Sequence, residues 1–112
     1  MATTESQGTN TSKAEWGSDV IVDALRGLDI EYVALNPGAT FRGVHDSLVN
    51  YAGNKSPELI LCPHEEIAVA IAHGYGKAAG KPMAAYVHNV VGLLHASMAM
   101  YNAWANRASV LV

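Results

Sequence analysis

With 112 residues, half of them hydrophobic and only 15% charged, the chain is bounded to a single core-forming domain and is not a disordered polymer. Its net charge is −3, and its seven basic residues do not cluster, which excludes the basic stripe that a nucleic-acid surface needs. One cysteine, Cys62, excludes an internal disulfide and fits a reducing compartment.

In chain order, residues 1–15 are polar and rich in Thr and Ser, with no apolar segment and no arginine. They predict a disordered tail, no secretory or transit leader, and a cytoplasmic location. Residues 16–112 form the folded part. A first helix is expected from Ser18, capped by that serine, with Asp19 in its first turn and Val20, Ile21, Ala24, Leu25 and Leu28 on one face. Ile30–Leu35 reads as a strand closed by the turn signal Asn36-Pro37-Gly38. Thr40 is placed to cap a second helix that turns Phe41, Val44, Leu48 and Tyr51 inward, and Gly53 to Pro57 breaks it. A second strand over Glu58–Cys62, a third helix over His64–Ala79 and a third strand over Pro82–His88 follow. A fourth helix over Val90–Ala105 and a fourth strand over Ser109–Val112 complete the pattern. No Asp, Glu, Lys or Arg occurs between Pro82 and Asn106, yet Pro82, His88, Asn89, His95, Asn102 and Asn106 interrupt the run too often for a membrane span.

Strands that are apolar on both faces and alternate with helices predict an α/β fold: an open parallel sheet with helices on both faces. The last strand ends the chain without a turn or cap, so the domain is expected to be truncated. Ligands of such sheets sit at the carboxyl ends of the strands. Three loops lie there: Asn36–Thr40, Pro63–Glu65 and His88–Val91.

The candidate motifs separate on spacing. Gly74-x-Gly76-x-x-x-Gly80 is one residue longer than a dinucleotide fingerprint and falls at the end of a helix, where amides cannot face phosphate. Close packing by small residues and a helix stop at Gly80 explain it. His64-Glu65-Glu66 lacks the second histidine of a zincin, because position 68 is alanine. His45, His73, His88 and His95 show no ligand spacing, so no metal site is expected of this chain alone. Cys62 ends an apolar strand without a basic neighbour and reads as structural. Glu65 stands apart. It opens a helix that is apolar nearly all round, so its carboxyl should be partly desolvated, its pKa raised, and its proton available to a buried basic nitrogen. Glu66 is expected to cap or face solvent.

Three segments, NPGAT (Asn36–Thr40), HEEIAVAIAHGYGKAAGKP (His64–Pro82) and YVHNVVGLLHASMAMYNAW (Tyr86–Trp104), resemble the N-terminal, pyrimidine-binding domain of thiamine-diphosphate enzymes. The likeness is to the acetolactate synthase and benzoylformate decarboxylase group, and it covers about residues 16–112. It implies a 2-oxo acid decarboxylase or carboligase in which a glutamate, matched by Glu65, hydrogen-bonds N1′ of the cofactor's aminopyrimidine and activates it. Pro37 and Gly38 match the turn that borders the pyrimidine. His88 matches a proton-transferring pocket histidine, and Val91 and His95 match further cofactor-side positions. The family binds Mg²⁺ and diphosphate through a GDG…N motif in a later domain, which this sequence lacks. The resemblance therefore implies half a site, completed by a diphosphate-binding domain of the same or another subunit in a homo-oligomer, and no activity of the chain alone. A non-catalytic, truncated module that pairs with other subunits is the alternative. An α/β protein binding some other small ligand at the same loops is a third reading.

Overall fold

A computed structural model describes residues 13–112. The elements alternate as α1 (Gly17–Gly27), β1 (Tyr32–Leu35), α2 (Arg42–Asn50), β2 (Glu58–Leu61), α3 (Glu65–Ala79), β3 (Met83–Tyr86), α4 (Val90–Ala105) and β4 (Val110–Leu111). A 3₁₀ turn over Ala39–Phe41 precedes α2. The four strands form one sheet in the order β2-β1-β3-β4, parallel at every pairing. The expected α/β class with an open parallel sheet is thus what the chain adopts. The tail expected over 1–15 falls, up to residue 12, outside the described residues.

Side chains alternate across the sheet with period two. Val33 and Ala84 point toward α1 and α2, in a core with Val22, Leu25, Ile30, Val44, Leu48 and Ala52. Ala34, Met83 and Ala85 point the other way, in a core with Cys62, Ala68, Val69, Ala72, Ala96 and Ala99 from the side of α3 and α4. Both faces are therefore covered. No helix among the described residues is long and apolar enough to cross a membrane.

The strands are shorter than the apolar runs that announce them. Ile30 and Val87 extend the runs, but the β1–β3 ladder pairs only Val33–Leu35 with Ala84–Tyr86. The buried face of α1 differs in part from the expected one: Leu25 is buried as expected, together with Val22 and Asp19, while Val20, Ile21 and Leu28 remain well exposed. Asp19 sets that rotation. Its Oδ2 accepts from the amides of Glu15 and Trp16, both at 3.0 Å, so Trp16 rather than Ser18 is the capping position. Ser18 is used instead to receive the Ser47 hydroxyl of α2 at 2.8 Å.

The glycines of α3 and its stop divide as packing demands. A Cβ on Gly76 would lie 2.9 Å from the Ser109 carbonyl oxygen, so β4 approaches the helix only because that position has no side chain. Gly80 ends the helix at φ 68°, the left-handed cap that glycine adopts without strain. Gly74 faces open space.

Candidate functional site

The chain reverses its winding between β1 and β3: β2 lies on one side of β1, and β3 and β4 lie on the other. In an open parallel sheet the crevice forms at that reversal, beyond the carboxyl ends of the strands. Here these ends are Leu35 and Tyr86, and the turns that follow them carry Asn36-Pro37-Gly38 and His88.

Gly38 and His88 meet directly. A Cβ on Gly38 would fall 2.2 Å from His88 Cδ2 and 3.2 Å from Phe41 Cε1. The backbone of Gly38 is extended (φ −155°), so glycine is required there for space and not for conformation. The His88 ring stands edge-on to Phe41 with centroids 6.3 Å apart, and Phe41 packs on Tyr86 at 5.5 Å. Pro37 is exposed and lines a shallow cleft with Leu35, Gly38, Ala39, Phe41 and Arg42.

Glu65 is the first residue of α3 and is 6% exposed. His64 caps that helix, its Nδ1 accepting from the Glu66 amide at 3.2 Å, and Glu66 itself is exposed. Burial alone would raise the Glu65 pKa, as expected from sequence. The structure reverses the direction. The Asn36 side chain hydrogen-bonds the carboxylate and holds its pKa below the ordinary 4.5; its own backbone amide and His95 act the same way, against the opposing effect of burial. Glu65 is thus a buried anion, oriented by the turn after β1.

A second contact shapes the carboxylate. Gly92, in the first turn of α4, is buried, and a Cβ there would lie 2.9 Å from Glu65 Oε1. His95, one turn further along α4, places Nδ1 3.5 Å from Glu65 Oε2 and stacks on His64, with ring centroids 4.9 Å apart and planes at 12°. Val91 is 59% exposed at the start of the same helix.

The structure therefore gathers the anticipated residues into two adjoining groups. Gly38 and His88 form one, with Pro37 beside it; Glu65 and His95 form the other, and Asn36 ties the β1 turn to Glu65. Val91 precedes Gly92 in the chain and stands exposed at the start of α4. Asn36, His64 and Gly92 are additions. Asn36 was legible only as a turn former and Gly92 only as a small residue, since neither signal reports a partner distant in sequence. Cys62 is buried, its Sγ lies 3.6 Å from the Ile60 carbonyl oxygen, and desolvation pushes its pKa up, as suits a structural thiol.

The chain is 28% identical over 96 residues to the acetolactate synthase large subunit of Haemophilus influenzae, covering 86% of this chain and 16% of that protein. It is 35% identical over 66 residues to the acetolactate synthase of Bacillus subtilis, covering 59% of this chain and 11% of that one. A chloroplastic acetolactate synthase of Arabidopsis thaliana matches at 32% over 66 residues, 59% of this chain and 9% of that protein. The chain thus spans about a sixth or less of the length of these relatives. Residues 15–112 match the family described as thiamine pyrophosphate enzyme, N-terminal TPP binding domain, and the chain belongs to that family.

Proposed function

We propose that this chain supplies the pyrimidine side of a thiamine-diphosphate site in a 2-oxo acid decarboxylase or acetolactate-synthase-like carboligase. The observation that carries the reading is Glu65: a buried carboxylate at a helix mouth, aimed by Asn36 and bordered by the side-chain-free Gly92. A buried carboxylate makes a strong charge-assisted hydrogen bond to a ring nitrogen, so these residues fit the aminopyrimidine. Glu65 would hold the proton at N1′, and Asn36 would keep the carboxylate pointed at it. Pro37, Gly38, Val91 and His95 would border the ring. His88, packed over Gly38 at the mouth of the crevice, would exchange protons with the substrate. When bound, the cofactor supplies the electron sink for making or breaking a bond beside a carbonyl.

Mg²⁺ does not fit this chain's own residues. It requires oxygen ligands in octahedral array, and the grouping of three His, Cys, Asp or Glu among the described residues offers two imidazoles and one carboxylate. Mg²⁺ and diphosphate are therefore assigned to a diphosphate-binding domain of the same or another subunit, within a homo-oligomer. Alone, the chain is expected to bind thiamine diphosphate weakly and to be inactive.

The test uses a protein carrying this chain together with such a domain, and follows C2–H exchange of bound thiamine diphosphate by NMR. Glu65→Gln should slow exchange strongly, because an amide cannot share the N1′ proton; the lost charged hydrogen bond is worth about 1.5–3 kcal/mol. Glu66→Gln, at an exposed position, should leave exchange near its original rate. Equal behaviour of the two variants, or the reverse order, would contradict the assignment.

A further inference from the structure

Two histidines and a buried carboxylate converge where α3 and α4 begin. One ligand atom from each of His64, Glu65 and His95 lies within 4.8 Å of the other two. Glu65 closes the inner side of this cluster, its side chain 8% exposed, whereas His95 opens the outer side at 53%. We propose that this cluster is a binding site for a divalent transition-metal ion of the Zn²⁺ class, held by one nitrogen from each histidine and one oxygen of Glu65. Two imidazoles and a carboxylate suit Zn²⁺, Co²⁺ or Ni²⁺ and discriminate against Mg²⁺ and Ca²⁺. The solvent side leaves a position for water or another small ligand.

The geometry sets what binding requires. Ligand atoms about 2.0–2.2 Å from a tetrahedral ion stand roughly 3.3–3.6 Å apart, so the cluster has to contract by about an ångström. His95 is free to make that movement because its ring is half exposed. Glu65 need not move far: one carboxylate oxygen takes the metal while the other retains Asn36, which then orients the ligand from outside the coordination sphere. His64 pays with its cap. Its Nδ1 accepts from the Glu66 amide, so the neutral ring carries its proton on Nε2. Binding through Nε2 shifts that proton to Nδ1, and binding through Nδ1 uses the accepting lone pair. Either way the Glu66 amide loses its partner and no net proton is released by the ring.

This site shares Glu65 and His95 with the cofactor reading without resting on it. Its test therefore contains no thiamine diphosphate, and either proposal can fail alone. Co²⁺ is titrated into the chain while visible absorption is recorded, and Zn²⁺ is titrated while the Glu66 amide is followed by NMR. Expected are saturable binding of one ion per chain, the intense absorption of four- or five-coordinate cobalt, and a shift of the Glu66 amide. His64→Asn, which preserves a capping residue, and His95→Asn, on the exposed side, should each weaken binding at least about 10-fold. His45→Asn, outside the cluster, should not change it. Weak, non-saturating absorption, or binding that is unaffected by His95→Asn, would overturn the proposal. Circular dichroism of each variant confirms that any loss is not a loss of fold.

Discussion

Glu65 is a buried acid that nonetheless stays ionised, and the reason lies in which contact is larger. The helix behind it foretold burial correctly, but not charge state, because Asn36 reaches it from a turn far away in sequence. Gly92 is the counterpart of that arrangement. Replacing it with alanine places a methyl 2.9 Å from Glu65 Oε1, and Glu65 cannot yield without leaving Asn36. Overpacking costs about 1–3 kcal/mol, and alanine's helix preference returns up to about 1 kcal/mol. Gly92→Ala should therefore lower stability in urea denaturation by about 1 kcal/mol on balance. In a Glu65→Ala background the same change should become neutral or stabilising, since the clash is gone; equal costs in both backgrounds would refute the contact. Asp19 offers a test by pH. Ser47 and the amides of Trp16 and Glu15 hold its pKa below the ordinary 3.8, against an opposing effect of burial. A carboxyl whose folded pKa is depressed contributes fully above the unfolded value and loses that contribution as pH falls through the folded one. The stability gap between the unaltered chain and Asp19→Asn should accordingly be constant from about pH 7 to 5 and close below about pH 4. A gap that widened on acidification would show that the hydrogen bonds to Asp19 do not hold in solution.

Elements were more legible than the faces they bury. α4 starts and ends where its apolar run does, over Val90–Ala105, between Asn89 and Asn106. α1 is legible only in part: Leu25 is buried as expected, but Val20, Ile21 and Leu28 make as good a stripe with it as Val22 does, and periodicity cannot choose between them. The choice falls to Asp19, whose amide partners fix how the helix enters. Strand ends were equally hidden, since pairing length is a property of two strands and not of one. The glycines near the end of α3 show the same division, and they make a paired prediction. Gly74 is exposed with nothing near its Cβ position, so Gly74→Ala should stabilise by up to about 1 kcal/mol. Gly76→Ala meets the Ser109 backbone, which cannot rotate away as a side chain would, and should destabilise by about 1–3 kcal/mol. Thermal or urea unfolding of both variants decides it; matching signs would mean that β4 does not approach α3 as closely as described.

At the scale of the whole molecule, α4 presents an inverted pattern. Its inward positions are small, Gly92, Ala96, Ala99 and Ala103, and let it lie close against α3 and the sheet. Its outward positions are large and apolar: Leu94, Met98, Tyr101 and Trp104 are each more than half exposed, and Ile67 and Ile71 of α3 add to the exposed apolar surface. A helix that is apolar on opposite sides belongs in an interior, and α4 contains no charged residue that would keep its outer stripe in water. If the homo-oligomer proposed above forms, this stripe is where a second copy of the chain is expected to sit. In a twofold interface each side chain is buried twice. Burying one Met or Leu side chain is worth about 1.5–3 kcal/mol, so a single charge placed here should act strongly. The chain is expected to sediment above its monomer mass across a concentration series in analytical ultracentrifugation. Met98→Glu should shift it to monomer while circular dichroism shows the helices intact, because Met98 is already 58% exposed within the protomer. Glu placed instead at exposed Val49, on α2 across the sheet, should leave sedimentation unchanged. Monomeric sedimentation at every concentration, or equal effects of the two substitutions, would remove this face as the site of association.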